Sequence, residues 1–162
     1  MARHIWSALC SRFILDKGTD LMSLIDVTEE LRVVSPKTMH PDPSGTVWLQ
    51  IPNLVLVSVW RRSEEQTREA ASMHISIRTP IQPQVQLVRD LPLDLESAIQ
   101  CRVVLSIFAI PHHGQGTYEV SIYSDPQGDV AVASLPFDLK LLTSEATSPE
   151  PPSERTPGAP RE

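Results

Sequence analysis

The sequence predicts an all-β protein, built as an antiparallel sandwich or barrel of about eight strands. Apolar residues recur along the chain in short alternating or continuous runs, and Gly, Pro, Asn and Asp residues separate these runs. One segment, residues 63–72, has a helical composition, but it is too short and too polar to hold as an independent helix. We expect a single helical turn there, inside a loop between strands.

The composition predicts one domain, residues 1–143, followed by a disordered tail, residues 144–162. A chain of 162 residues is long enough to bury a sizeable core, and 41% hydrophobic and 21% charged residues are ordinary values for a globular protein. The tail is rich in Pro, Glu and Ser and contains no aromatic residue and no Leu, Ile or Val. It therefore cannot bury enough apolar surface to offset the entropy lost on ordering.

The first strands are predicted in the N-terminal part of the chain. Ile5–Leu15 reads as a strand, and its residues Trp6, Ala8 and Cys10 share one face. After a turn, Leu21–Val34 is predicted as a second strand, nearly continuous in apolar content and covered on both sides or bulged. Prolines and a glycine then indicate a loop over residues 35–45.

The middle of the chain predicts five further strands: Thr46–Ile51, Asn53–Arg61, Met73–Thr79, Gln84–Arg89 and Ala98–Ile110. Met73–Thr79 alternates, with Met73, Ile75 and Ile77 directed inward. Pro92 is expected to end the strand that begins at Gln84. Ala98–Ile110 is apolar on both faces, which is typical of a central strand.

Residues 117–141 predict a closing hairpin. Tyr118, Val120 and Ile122 alternate with polar residues, residues 125–129 have turn composition, and the pattern resumes with Phe137 and Leu139 on one side. Because an isolated hairpin is marginally stable, its apolar face needs a second layer, which the preceding strands supply.

Two blocks of the sequence resemble an uncharacterised bacterial family known only as a domain of unknown function. Residues 8–31 are similar to an opening strand, a Lys-Gly turn and a Leu-x-Leu-Ile-type strand. Residues 116–141 are similar to its ending, and the matching residues are Gly116, Tyr118, Ile122, Leu135, Pro136, Phe137 and Leu139. The resemblance implies an immunoglobulin-like or C2-like sandwich. It brings no activity, cofactor or catalytic residue.

Charge and hydropathy narrow the choice of partner. The formal net charge of −6 and the scattered basic residues argue against a nucleic-acid binder. No apolar run reaches the roughly 18 residues of a membrane-spanning helix, and the N-terminus lacks a signal-peptide pattern, so we expect no membrane contact and a cytoplasmic location. Cys10 and Cys101 are expected as buried free thiols, although they could pair if their strands are neighbours.

The loop that carries His112 and His113 is the most suggestive place for chemistry. A metal or histidine-dependent site would need more donors, and His40 and Asp42 could supply them if the two loops lie at the same end. Two solvated loop histidines are the simpler interpretation, since adjacent side chains in extended backbone point apart. Asp90, Asp94 and Glu96 form a weaker candidate for Ca²⁺ or lipid-linked binding.

No arrangement for nucleophilic catalysis or cofactor binding is evident in the sequence, which contains no Gly-x-Ser-x-Gly elbow and no phosphate-binding loop. The leading hypothesis is therefore a non-catalytic module that binds another protein or a second copy of itself. A small enzyme that uses the His112/His113 loop is the alternative. The interface candidates are Trp60, Arg61, Val104, Phe108 and Ile110, since large apolar residues on an outer face mark contacts. Core packing is the default expectation for the tryptophans, and Trp60 is the one most expected at an edge or interface.

Overall fold

The computed structural model describes residues 2–34, 41–81, 85–125 and 130–142. Over these residues the chain is all-β and contains no helix, as the sequence predicts. Nine strands are formed: β1 (Arg3–Leu15), β2 (Met22–Val27), β3 (Glu30–Val34), β4 (Trp48–Arg61), β5 (Ala71–Arg78), β6 (Val85–Leu93), β7 (Gln100–Pro111), β8 (Gly116–Tyr123) and β9 (Ala133–Leu142). The predicted tail, the central turn residues 126–129 and His40 lie outside the described residues.

The strands form two sheets. The four-stranded sheet has the order β2-β1-β4-β7, and the five-stranded sheet has the order β3-β9-β8-β5-β6. All pairs are antiparallel except β3 with β9, which is parallel. The segment predicted as one strand, Leu21–Val34, is in fact β2 and β3 in different sheets. Asp26, with a left-handed φ of 51°, lies near the end of β2, and the chain passes to the other sheet through Thr28 and Glu29.

β4 joins two segments that the sequence predicts as separate strands. The register with β7 shifts between Gln50 and Leu54, and Asn53 within the shift has a φ of 55°. Pro52 is accommodated because a bulge removes the need for a ladder hydrogen bond at that point. The strand therefore continues through the proline and bends.

Two other predictions are corrected at sheet edges. Pro92 does not end its strand: it lies inside β6, opposite Ser72, at an edge where one side needs no donor. β7 is not a central strand but the last strand of the four-stranded sheet. Residues 63–72 contain turns and no helix; there the Thr67 N–H donates to the Glu64 carbonyl.

Both sheets contribute to one hydrophobic core. Met73, Ile75 and Ile77 of β5 are fully buried, as the alternation predicts, and so are Tyr118, Val120 and Ile122 of β8. Phe137 and Leu139 of β9 are also buried, and the rings of Tyr118 and Phe137 stack with centroids 5.7 Å apart. The closing hairpin thus packs its predicted apolar face against the rest of the chain.

Both cysteines are free thiols. Cys10 lies on β1 and Cys101 on β7, and β4 separates the two strands. Cys101 packs against the main core, whereas Cys10 belongs to a second cluster on the other side of the four-stranded sheet. A disulfide between them would require the sheet to rearrange.

Candidate functional site

The outer face of the four-stranded sheet and the end of the β1–β2 hairpin beside it, which together we call the apolar face, carry large exposed apolar side chains. They come from the end of β1 and from β7: Phe13, Ile14, Leu15, Val104 and Phe108. Phe108 is 76% exposed and Ile14 is 55% exposed. A single exposed apolar residue needs no explanation, but a cluster on one face is typical of a contact surface.

The β1–β2 hairpin folds back across the apolar face. β2 and β7 are at opposite edges of the sheet, yet Asp20 in the β1–β2 turn binds Arg102 of β7. The contact is bidentate: Arg102 Nη1 donates to Asp20 Oδ1 at 2.7 Å and Nη2 to Oδ2 at 2.8 Å. This bond lowers the pKa of the Asp20 carboxyl and raises that of Arg102. The hairpin tip is therefore tied to the far strand across β4.

A small cluster is buried under this hairpin. Cys10, Val55 and Val57 are on the outer side of β1 and β4, yet they are hardly exposed, because Trp6, Met22 and Leu24 pack over them. Burial also raises the pKa of the Cys10 thiol, which favours the unreactive protonated form. The apolar face thus has a covered part under the hairpin and an open part beside it.

The open part forms a groove of about 310 Å³ between the hairpin and β7. Its apolar wall includes Phe13, Ile14 and Ile25 on one side and Ile107 and Phe108 on the other. The bulge at Asn53 forms part of its floor, since the bend in β4 separates β7 from the hairpin at this level. The groove is large enough to accept an apolar side chain.

The outer face of the five-stranded sheet, which we call the polar face, differs in composition. Its strands pair charges across the surface: Arg78 of β5 with Glu119 of β8, and Lys140 of β9 with Glu30 of β3. Thr117 Oγ1 donates to Asp138 Oδ1 at 2.7 Å on the same side. The bonds from Lys140 and Arg32 lower the pKa of Glu30, so it stays ionised at neutral pH.

The structure separates the predicted interface residues into two groups. Val104 and Phe108 lie on the apolar face, and Arg61, exposed at one end of the sheet, pairs with Glu65. Trp60 and Ile110 are instead wholly buried in the main core, so their predicted placement on a surface is corrected. Trp60 is buried because β4 is an inner strand and turns this indole toward the core, where the ring of His4 packs edge-on at 5.1 Å.

Phe13 and Ile14 were not predicted as site residues, although the sequence contains a signal. Phe13, Ile14 and Leu15 are three consecutive apolar residues directly before a polar turn. In a strand with one buried face such a run must expose at least one large side chain. All three are exposed here, at 37% or more, because β1 pairs with β4 only as far as Cys10 and continues beyond it paired with β2 alone.

The predicted histidine site is only partly assembled. The His112 N–H donates to the Val47 carbonyl at 2.8 Å, which brings the loop of Asp42 to the same end as His112 and His113. Burial, and secondarily the charge of His113, lowers the pKa of His112. His112 Nδ1 and His113 Nε2 are buried without a hydrogen-bond partner among the described residues.

Asp42 is already occupied by its own loop. Its carboxylate accepts hydrogen bonds from the Ser44 hydroxyl at 2.5 Å, from Trp48 Nε1 at 2.8 Å and from the Thr46 N–H at 2.9 Å. These bonds lower the pKa of Asp42 to about 2. A carboxylate held in this way organises a turn and has little capacity left to act as a base or a metal ligand.

Metal donors do not converge in the part of the chain that the structure describes: no group of three or more His, Cys, Asp or Glu residues there could hold an ion. Asp94 accepts from the Ser97 hydroxyl at 2.7 Å, and the Asp90 N–H donates to Nδ1 of the buried His74 at 3.2 Å. The Asp94 carboxylate therefore has a local structural role, and the Asp90 carboxylate lies 3.6 Å from Nε2 of His74.

A serine–histidine contact that the sequence did not suggest lies in β1. His4 Nε2 is 2.8 Å from Ser7 Oγ, and Ser7 Oγ is 2.8 Å from Ser58 Oγ of β4. Burial lowers the pKa of His4, so its imidazole is neutral at pH 7. Ser7 also borders a groove of about 480 Å³ between β1 and β9. Residues three apart in a regular strand point to opposite faces, so the sequence spacing of His4 and Ser7 does not predict this contact. A bulge between His4 and Trp6 brings the two side chains together.

Comparison of the chain with protein-family models, with curated proteins and with solved structures finds no match in any of the three. The comparisons therefore contribute no ligand, partner or activity. Within the described ranges, no helix has the length and hydropathy to span a membrane.

Proposed function

We propose that the chain is a non-catalytic protein-binding module, and that its binding surface is the apolar face. One observation carries the proposal: exposed apolar side chains of β1 and β7, Ile14 and Phe108 among them, line one groove of the apolar face. An exposed aromatic such as Phe108 gains most of its burial energy only when a partner covers it. The proposed partner is another protein.

The proposed architecture is an immunoglobulin-like sandwich. In such a fold, strands A, B and E lie side by side in one sheet and strands G, F and C in the other. The order β1-β4-β7 and the order β9-β8-β5 support the same arrangement, with chain order A, B, C, E, F, G preserved. β6 departs from the constant-type pattern, because it pairs with β5 instead of continuing the β7 edge.

Tyr118 gives this assignment independent support. It lies near the start of β8, directly after the chain crosses between sheets, and its hydroxyl donates to the Gly114 carbonyl at 2.9 Å. The His113 N–H donates to the same hydroxyl at 3.1 Å. A tyrosine hydroxyl bonded to backbone a few residues upstream, at the start of strand F, is the tyrosine corner of immunoglobulin-like domains. We therefore favour this architecture over a C2-like one.

Affinity capture with matched variants tests the proposed binding surface. Ile14→Asp and Phe108→Asp place a charge at two sides of the groove. Ile81→Asp is the control, because Ile81 is as exposed as Phe108, at 76%, but lies outside the groove. We expect proteins bound by the wild type and by Ile81→Asp to be lost with both groove variants. Equal capture by all four chains would refute the apolar face as the binding surface.

A second candidate function, ester or amide hydrolysis at Ser7, rests on the 2.8 Å contact with His4. The Ser7 hydroxyl donates to Ser58 Oγ, so a neutral His4 imidazole could accept the serine proton only after that hydroxyl turns toward Nε2. A fluorophosphonate probe reports such activation directly: labelling of the wild type that is lost in Ser7→Ala, and lost in His4→Ala, would favour the enzyme. No labelling of the wild type would leave His4, Ser7 and Ser58 as a polar network that links β1 to β4.

A further inference from the structure

The two sheets formed by the described residues have four edge strands, and three of them carry features that block pairing with another chain. β2 is short and twisted by the left-handed Asp26, and β3 has only five residues with charged Glu30 and Arg32. β6 contains Pro92 and the left-handed Asp90, with two register shifts against β5. Short length, charge, proline and irregularity are the usual protections of sheet edges.

β7 has none of these protections over most of its length. It is 12 residues long, its one proline is the last residue, and Arg102 is its one charged side chain. No described strand pairs with β7 on the side away from β4. In a constant-type immunoglobulin-like sheet another strand pairs with this edge, whereas here β6 belongs to the other sheet. A row of backbone N–H and C=O groups is thus left open beside Phe108.

We propose that β7 pairs with β7 of a second copy of this chain, antiparallel, about a two-fold axis at Ser106. The pairing brings the β7 edge of the apolar face, with Val104 and Phe108, into contact with a second copy, and in that respect it rests on the proposed function. Residues directly opposite in an antiparallel pair point to the same face, so the register must place apolar-face residues opposite each other. A centre at Ser106 places Phe108 of each copy opposite Val104 of the other, giving two identical apolar pairs.

Shape and charge favour this register. Val104 lines a second groove with Phe13 and Leu15, so the protruding Phe108 of one copy meets a hollow on the other, as an isologous contact requires. Arg102 is already neutralised by Asp20 of its own chain. In the proposed register the two Arg102 side chains are eight positions apart along the pair, about 27 Å, which exceeds the Debye length at physiological salt.

The number of backbone bonds is sufficient for a specific contact. With the centre at Ser106, residues 101–111 of each strand overlap. Such a pair forms about ten inter-strand hydrogen bonds, which is the number found in a typical protein interface. Burial of two Phe108 side chains adds the apolar contribution.

The test is a charge swap at Ser106, followed by sedimentation velocity over a dilution series of the full chain. Ser106→Lys and Ser106→Asp each place like charges directly opposite at the axis, and we expect each to raise the dimer dissociation constant roughly tenfold or more. An equimolar mixture of the two variants should recover association, because Lys then faces Asp. Ser23→Lys, on the opposite edge strand, is the matched control and should associate like the wild type.

Crosslinking locates the axis without relying on charge. In a Cys101→Ser chain, Ser106→Cys should form an intermolecular disulfide under mild oxidation, because opposite Cα atoms at about 4.5–5.5 Å are within disulfide range. Ser23→Cys should not. A wild type that is monomeric at every concentration, or a mixture that shows no recovery, would overturn the proposal. The capture experiment with Ile14→Asp tests binding at the groove beside β1. Loss of capture in that variant would therefore support the proposed function even if the chain does not self-associate.

Discussion

The outer faces of the two sheets differ in how their exposed side chains are paired or covered. On the polar face, charged side chains pair with one another: Arg78 binds Glu119 and Lys140 binds Glu30 across neighbouring strands. The apolar face is partly covered by the β1–β2 hairpin, and the remainder, around Phe108 and Ile14, stays exposed. The two faces differ because charged side chains of the polar face pair with neighbours in the same sheet, whereas the exposed apolar side chains of the apolar face have no such partner among the described residues.

This contrast indicates where an external partner belongs. Charged pairs at a surface contribute little stability, but they satisfy each other and offer no unmet contact. Exposed Phe and Ile side chains cannot satisfy each other in this way, and they stay in contact with water until another molecule covers them. The apolar face is therefore the surface whose free energy changes most when another molecule covers it.

The largest expected effect is a difference in stability between two Phe→Ala variants, one in the core and one on the apolar face. Phe137→Ala removes a core side chain of the five-stranded sheet and should lower the free energy of unfolding by about 3–5 kcal/mol. Phe108→Ala removes a side chain from the apolar face and should change it by less than about 0.5 kcal/mol. Urea unfolding of both variants measures the difference. Similar losses would mean that the apolar face is part of a closed core.

Tyr118→Phe should have the next largest effect. The hydroxyl is buried, accepts from the His113 N–H and donates to the Gly114 carbonyl, so its removal leaves two backbone groups without a partner. We expect a loss of about 1–3 kcal/mol in thermal or urea unfolding. Tyr123→Phe, on a less buried position of the same strand, is the comparison. A neutral Tyr118→Phe result would remove the support that this residue gives to the proposed architecture.

Weakening the contact that holds the β1–β2 hairpin should moderately increase the accessibility of Cys10, which lies under the hairpin. Asp20→Asn weakens the bond to Arg102, so the hairpin opens more often and exposes Cys10. In a Cys101→Ser chain, we expect thiol labelling of Cys10 to become roughly two- to five-fold faster, as for the loss of one surface ion pair. Asp16→Asn, in the same turn but not bonded to Arg102, is the control. An unchanged labelling rate would show that apolar packing alone holds the hairpin.

The smallest expected effect is a pH dependence of the polar face. The bonds from Lys140 and Arg32 lower the folded-state pKa of Glu30 below its ordinary value. The stability that these bonds contribute is therefore present above the unfolded pKa of about 4.3 and is lost as pH falls through the folded value. The amide protection factors along β3 and β9, which compare each observed exchange rate with the intrinsic rate at the same pH, should fall over that range. Glu30→Gln should remove this dependence, whereas a parallel change in β4 would indicate global unfolding instead.

The sequence predicts the inner faces well and the edges poorly, and the reason is physical. Alternation in β5 and β8 identifies Met73, Ile75, Tyr118 and Val120 as buried, because period two is a local property of a strand. Which strand ends a sheet depends on pairing between distant segments. β7 is apolar on both faces, as a central strand is, yet it is an edge strand whose outer face is open.

In the candidate site, too, the features that depend on local pattern were predictable and those that depend on long-range pairing were not. Val104 and Phe108 follow from their apolar character on a predicted strand. The hairpin over the apolar face does not, because its contact between Asp20 and Arg102 joins residues 82 positions apart. The burial of Trp60 also depends on the position of β4 between β1 and β7, which no local pattern encodes. Long-range pairing is thus the information that sequence patterns lack.

The parallel pairing of β3 with β9 has a consequence for synthesis on the ribosome. Roughly a hundred residues separate the two strands, and at about 5–20 residues per second β3 has no partner for roughly 5–20 s. During that interval Leu31 and Val33, which the finished protein buries, face solvent or a chaperone. The nascent chain therefore depends on β9 to protect β3, and a stalled or truncated product ending before β9 would be a target for aggregation or proteolysis.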